Sequence, residues 1–195
     1  MDRQTVAAYD NAAADYAQEW HRQPPPDDLY ALLRRYFPQG LTVDVGCGSG
    51  REIAWLAANG YAAIGYDASP ALIAEAKQRY PACDFRLAAL PQLDGIAPAS
   101  FDNVLCETVI MHLPHDEIEP SVRRLVNILK PRGALYLSWR VTRDADRRDE
   151  SGRLYAAFDG ALVRAALRPA KILFDEETVS ASSGKIVRRI IAQKA

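Results

Sequence analysis

The strongest chemical signal in the chain is Val43-Asp44-Val45-Gly46-Cys47-Gly48-Ser49-Gly50, an apolar, β-branched stretch that stops in three alternate glycines. A helix-forming segment, Arg51 to Asn59, follows at once. A strand, a glycine loop and a helix in that order present bare backbone N–H groups at a helix N-terminus, where a ligand can approach closely. The same pattern without a ligand is only a tight strand-to-helix turn. A second signal favours the ligand. Ala62-Ala63-Ile64-Gly65-Tyr66 reads as a short buried strand ending in Asp67, 23 residues after Asp44. In doubly wound sheets an acid about 20 residues on, at the tip of the second strand, accepts hydrogen bonds from ribose hydroxyls. A carboxylate suits this because both of its oxygens accept. Ser69-Pro70 then reads as a helix start, with Ser as N-cap and Pro in the first turn. Capping that helix is the other use open to Asp67.

Ligands of open α/β sheets sit outside the carboxyl ends of the strands. That rule selects Asp44–Gly50, Asp67, Glu107 with Thr108, and Trp139 with Arg140. Glu107 is placed either to accept a substrate proton or to cap the turn that follows. His112 is the best-placed imidazole and titrates near neutral pH. It is a base, a substrate contact or a hydrogen-bonded structural histidine. His112 and His115 are three apart, but Pro114 between them disrupts a helix and no third ligand is evident, so no metal site is expected. Arg140, Arg143, Arg147, Arg148 and Arg153 crowd one segment beside Asp144, Asp146, Asp149 and Glu150. The mixed signs describe a solvated loop from which a few arginines could meet an anionic substrate.

The elements that must position these residues can be read from the same pattern. Tyr9, Ala13, Tyr16 and Trp20 are spaced to share one face of a helix over roughly Thr5 to His21, which Pro24-Pro25-Pro26 ends. Asp27-Asp28 opens a second helix with Leu29, Leu32, Leu33 and Tyr36 on one side, closed by Pro38-Gln39-Gly40. From Leu41 onward strands and helices alternate. Strands are expected near Thr42–Val45, Ala62–Tyr66, Asp84–Leu87, Asn103–Cys106 and Ala134–Trp139. Helices are expected near Arg51–Asn59, Pro70–Tyr80, Asp116–Leu129 and Leu154–Leu167. Lys171–Asp175 and Ile186–Ala192, joined through Ser182-Ser183-Gly184, read as an antiparallel hairpin. The expected fold is a doubly wound α/β domain over residues 1–195. Its mostly parallel seven-stranded sheet ends in a C-terminal antiparallel hairpin. Residues 1–40 form N-terminal lid helices and 41–195 a Rossmann-like core.

Composition narrows the function classes. A chain of 195 residues suffices for one α/β domain with a substantial core. Its 24 Lys and Arg nearly balance 25 Asp and Glu, so nothing draws the whole protein to nucleic acid or to an anionic membrane. No apolar run is long enough to cross a bilayer, and no signal peptide is legible. Cys47, Cys83 and Cys106 are scattered without a Cys-x-x-Cys pair, as expected of buried reduced thiols in a cytoplasmic protein. Both a monomer and a homodimer remain open.

The glycine spacing departs from the dinucleotide fingerprint, because Arg51 stands where that pattern needs Gly or Ala. Asp-x-Gly-x-Gly-x-Gly, from Asp44 to Gly50, instead resembles the first motif of class I S-adenosylmethionine (SAM)-dependent methyltransferases. The likeness extends over nearly the whole chain. Ser100-Phe101-Asp102-Asn103-Val104-Leu105 resembles the entry to the family's fourth strand, and Ile110-Met111-His112-Leu113-Pro114 its hydrophobic-His-Leu segment. Asn127-Ile128-Leu129-Lys130-Pro131-Arg132-Gly133 resembles its leucine-lysine-proline-glycine-glycine turn, with Arg132 replacing the first glycine. Tyr9-Asp10, Ala13, Tyr16 and Trp20 resemble its N-terminal lid motif. One departure stands out: the family's adenine-binding Asp is missing, and Arg86 occupies its place before Leu90-Pro91.

The resemblance implies SAM as cofactor and a small-molecule methyl acceptor. It assigns the cofactor to Asp44, Gly46, Cys47, Gly48, Gly50, Arg51, Asp67, Ala68, Ala89, Leu90, Glu107 and Tyr16. In this reading Arg51 or a lid tyrosine meets the SAM carboxylate, and backbone near Ala88–Leu90 receives adenine. Tyr9, Trp20, His112, Trp139 and Arg140 fall to the acceptor, with Glu107 and His112 as candidate proton acceptors. Nucleic acid is disfavoured, since Cys106-Glu107-Thr108-Val109 stands where amino-methylating enzymes of nucleic acids carry Asn-Pro-Pro-aromatic. Two rivals remain: a SAM-binding regulatory module without catalysis, and a nicotinamide-dependent oxidoreductase. The glycine spacing and the lack of a late Tyr-x-x-x-Lys pair count against the second.

Overall fold

Val43 and Val45 are almost wholly buried, because the strand that carries them, β1 (Leu41–Val45), is flanked on both edges. In the computed structural model, which describes all 195 residues, β2 (Ala62–Asp67) and β4 (Phe101–Cys106) both pair with β1 in parallel. Beyond β2 lies β3 (Asp84–Leu87), and beyond β4 lies β5 (Leu129–Arg140), again in parallel. Two later strands, β8 (Lys171–Val179) and β9 (Ile186–Gln193), complete a seven-stranded sheet of order β3-β2-β1-β4-β5-β9-β8. β9 runs antiparallel to both of its neighbours. The order turns back on itself between β1 and β4, which opens a crevice above the carboxyl ends of the parallel strands.

Strands buried on both faces must be apolar throughout, and side chains alternate between the faces. Val104, Leu135 and Leu137 pack on one face with Ile118, Val122 and Leu125 of α6 (His115–Ile128). Leu105 and Tyr136 pack on the other with Leu29 and Leu33 of α3 (Asp27–Tyr36) and Ile53 and Leu56 of α4 (Arg51–Ala58). Each such Leu or Ile contributes about 1.5–3 kcal/mol by leaving water. α5 (Pro70–Arg79) begins as its sequence requires: Pro70 occupies the first turn, and the Ser69 side chain accepts a hydrogen bond from the Leu72 amide.

The N-terminal segment differs from the single helix expected over Thr5–His21. It forms two helices, α1 (Arg3–Asn11) and α2 (Ala13–Arg22), broken at Ala12, where φ is −133° and ψ 29°. Tertiary contacts impose the break. The Asp10 carboxylate accepts from Ser69 Oγ at 2.5 Å and from the Ala71 amide at 3.1 Å, pinning the end of α1 to the start of α5. The bend then lets α2 lay Tyr16 and Trp20 against Tyr9.

The helix expected over Leu154–Leu167 is also overturned. Leu154–Tyr155 is a short strand, β7, paired with β6 (Arg147–Arg148) inside the stretch expected to be loop. The helix, α7, covers only Gly160–Ala166, where the Asp159 side chain caps it by accepting from the Ala161 amide. Three bonds hold Leu154 and Ala156 in extended form instead. Leu154 N donates to Thr5 Oγ1 at 2.9 Å, Ala156 N donates to Met111 O at 2.8 Å, and the Leu154 carbonyl accepts from His112.

The N-terminal helices, expected from the sequence to be a lid, are therefore fixed by side chains that reach out of their own helix. Asp10→Ala removes the oxygen that accepts two hydrogen bonds from the start of α5 and is expected to cost about 1–2 kcal/mol, as for loss of a helix cap. Amide hydrogen exchange should accelerate in α1 and α2 while α6 stays protected. Unchanged exchange in α1 would show that the lid docks by other means.

Candidate active site

The crevice holds a cavity of about 370 Å³, lined by residues from every part of the chain. The glycine loop forms its floor. Gly46 N and Cys47 N both donate to the Tyr66 carbonyl, at 2.7 and 3.0 Å, and Gly48 N donates to the Asp67 carboxylate at 2.9 Å. Gly48 has φ +51°, and a Cβ there would stand 2.9 Å from the Trp20 ring, so the lid closes on bare backbone. The other Asp67 oxygen accepts from Ser69 N at 2.8 Å. Ser69 is thus the cap of α5, and Asp67 braces the turn before it. Burial raises the Asp67 pKa against the opposing pull of these amides. Ala68, Ala88, Ala89 and Leu90 line the same end.

Four acids face this part of the cavity: Asp44, Glu52, Asp67 and Glu107. Asp44, only 3 % exposed, has its pKa raised well above the carboxylate range by burial and then by the charges of Glu52, Glu107 and Asp67. Burial, with Glu52 next, lifts Glu107 to about 8. Arg51 is the cation among them. Its Nε donates to Glu52 at 2.7 Å, and its Nη1 reaches the Trp20 carbonyl at 3.2 Å and Ser182 Oγ at 3.4 Å. Arg51 therefore ties together loop, lid and hairpin tip.

The opposite end is aromatic. The Nδ1 of buried His112 lies 2.5 Å from the Leu154 carbonyl, which can only accept, so Nδ1 carries the proton. Nε2 is left to accept from the Tyr9 hydroxyl at 3.0 Å. Burial lowers the His112 pKa to about 4, so the ring is neutral at pH 7. Arg153 lies over Tyr9 and Tyr16, and Tyr155 meets the His112 ring edge-on at 5.1 Å.

Most residues expected at the site line this cavity, with three exceptions. Gly50 lies beneath the loop as the left-handed start of α4, where a Cβ would strike Phe85 at 2.5 Å. Tyr16 is buried behind the lid, stacked on Trp20 at 5.7 Å. Trp139 is 2 % exposed and packs on Phe158, because neighbouring strand residues face opposite ways and Arg140 takes the cavity side. Arg86 is exposed on β3, bound to Asp84 at 2.6 Å, and His115 pairs with exposed Asp146 at 2.9 Å. Sequence reasoning did not single out Tyr155, Glu52, Ser182 or Lys185, all of which line the cavity. Glu52 stood beside the glycine loop and was legible; the others arrive by long-range folding with no local mark.

A methyltransferase-domain family profile matches residues 43–137. Over 142 residues the chain is 30% identical to the ubiquinone biosynthesis O-methyltransferase of Xanthomonas campestris pv. campestris, covering 66% of this chain and 59% of that relative. The chain thus spans about three-fifths of the length of these curated relatives. It is 34% identical to the trans-aconitate 2-methyltransferase of Methylobacterium nodulans over 116 residues, covering 58% of this chain and 43% of the relative. Among solved structures, the 1,6-didemethyltoxoflavin-N1-methyltransferase of Burkholderia thailandensis, with bound S-adenosylhomocysteine, superposes with a TM-score of 0.75 at 22% identity, over 97% of this chain and 88% of that one. The magnesium protoporphyrin IX methyltransferase of Synechocystis PCC 6803, with bound SAM, gives 0.74 at 22% identity, over 100% of this chain and 98% of that one. Residues 43–137 therefore match a methyltransferase domain, and the chain as a whole shares the fold of these two solved methyltransferases.

The raised pKa of Glu107 sets a pH dependence. An acid that holds its proton longer folded than unfolded weakens the fold as pH rises from about 4.5 to about 8. Glu107→Gln should therefore melt higher than the wild type at pH 9 and at nearly the same temperature at pH 4. A stability gap independent of pH would contradict the buried, charge-crowded placement of Glu107.

Proposed function

We propose that the protein transfers a methyl group from SAM to a small-molecule acceptor bound under the aromatic lid. The observation that carries this reading is the union of glycine loop and ribose acid: Gly48 N donates to Asp67, and both line one cavity with Asp44 and Glu107. The donor set fits the cofactor. SAM bears an ammonium and a sulfonium, and the buried carboxylates that crowd one another here are relieved by positive charge. Each Asp67 oxygen keeps a lone pair for a ribose hydroxyl. The smooth surface of Ala88 and Ala89 beside Leu90 suits adenine, with backbone polar groups in place of an acid.

When bound, the cofactor supplies an electrophilic methyl, so displacement forms the acceptor–carbon bond as the carbon–sulfur bond breaks and leaves a neutral thioether. The protein's part is position and exclusion of water. Trp20 and Tyr9 cover the cavity, and the bonds from Asp10 and Arg51 hold that cover down. Two groups can take a proton from the acceptor. His112 is neutral, and its Nε2, which accepts from the Tyr9 hydroxyl, can take a proton passed through that hydroxyl. Glu107, just past the end of β4, can take one once the cofactor's positive charge has brought its pKa down. A general base is needed only for an acceptor that still carries its proton.

Calorimetry with SAM, S-adenosylhomocysteine and NAD is the direct test. The first two should bind and NAD should not; binding of NAD alone would discard the reading. Gly48→Leu, which sets a side chain against Trp20, should weaken SAM by on the order of 100-fold or more, about 3 kcal/mol, with the circular dichroism spectrum unchanged. For a protonated acceptor, His112→Gln should lower kcat on the order of 100-fold and leave SAM affinity intact. Tight SAM binding with no transfer to any metabolite would favour a binding module instead.

A further inference from the structure

We infer that the methyl acceptor is a small anion whose acidic group pairs with Arg140. The inference rests on the methyltransferase reading and adds the chemical class of its acceptor.

Arg140 is the one half-buried arginine left without a polar partner. Arg51, Arg153, Arg164, Arg188 and Arg189 each pair with an acid, and Arg124 donates to three carbonyls and to Asn127. Arg140 lines the cavity and meets only the face of Tyr155, with its guanidinium 5.0 Å from the ring centre. A planar fork of N–H donors held open over a cavity matches a carboxylate or phosphate, which it can grip with two bonds at once.

The placement is that of an acceptor site. Cys106 of β4 pairs with Leu137 of β5, and Thr108 N donates to the Ser138 carbonyl at 3.1 Å. Arg140 therefore stands one strand over from Glu107, on the side away from Asp67. The cavity is polarised as a result. Its cofactor end carries Asp44, Asp67 and Glu107, while the far end carries Arg140 and, at the mouth, exposed Lys185 on the hairpin tip. The charge of Arg153 is already met by Asp149 at 2.7 Å, and His112 is neutral, so neither cancels nor supplies charge there. Arg51 and Arg153 already meet acids, so Arg140 is the cavity arginine left to fix an anion by its own charge, the rest of the acceptor lying against Tyr9 and Tyr155. A single anchoring cation on one side of Glu107 thus orients the acceptor before transfer.

The test uses the intact protein and a small-metabolite extract of its source organism, divided on an anion-exchange resin into retained and unretained fractions. Each fraction is incubated with methyl-labelled SAM. Label should enter the retained fraction at least tenfold faster, and added salt should slow it. Phosphatase treatment of that fraction separates the two anion sources: loss of transfer marks a phosphate, survival a carboxylate. Arg140→Gln should lower transfer tenfold or more through KM, Arg140→Lys should restore part of it, and both should bind SAM in calorimetry within twofold of the wild type. Label entering the unretained fraction, or full transfer by Arg140→Gln, would overturn the inference while the methyltransferase reading stands. Transfer to neither fraction would remove both.

Discussion

The hydrogen bond from the Gly48 amide to the Asp67 carboxylate spans the gap between the ends of β1 and β2, and the site is organised around it. Two more amides, of Gly46 and Cys47, donate to the Tyr66 carbonyl just before that acid. The loop is thus stitched to the neighbouring strand rather than left to its own torsions. That arrangement leaves backbone facing the cavity and a carboxylate beside it, with burial pressing the acid toward its neutral form. A site that holds acids so uncomfortably favours ligands that bring positive charge and hydroxyl donors.

The lid depends on this floor in turn. Trp20 closes over Gly48 because no side chain intervenes, and the Trp20 carbonyl accepts from Arg51 at the head of α4. Asp10 joins α1 to α5, Asp2 joins it to Arg148, and Tyr9 joins it to His112. These contacts comprise one or two hydrogen bonds apiece, each bond worth about 1 kcal/mol. They fix the position of the lid, while the stability of the domain comes from the two apolar layers against the sheet. A cover held by small, separable terms over a rigid floor is the division that lets a crevice admit and release a ligand without unfolding the domain.

Much of this was legible along the chain. The five parallel strands and the helices α4, α5 and α6 follow from apolar runs, glycine and proline punctuation, and the Ser69-Pro70 cap, and the structure keeps each within a few residues apart from the longer β5. The pairing of Asp44–Gly48 with Asp67 was legible because the fold brings together residues from two adjacent βα turns. Arg140 and Trp139 show where local reading stops. Both sit at one strand end, and only the pleat direction in the folded sheet decides which of them faces the cavity. His112 offered three roles, and its state is set by a carbonyl 42 residues away.

The sequence by itself determined the order of strands and helices, the glycine loop and the acid that serves it, because these depend on torsional freedom, capping and alternation over a few residues. Tertiary structure alone decided the bend at Ala12, the extended form of Leu154–Tyr155, the neutral His112 and the unpaired Arg140. Each is settled by partners far away in the chain, and burial and hydrogen-bond geometry among such partners exist only once the sheet, the lid and the hairpin tip have met.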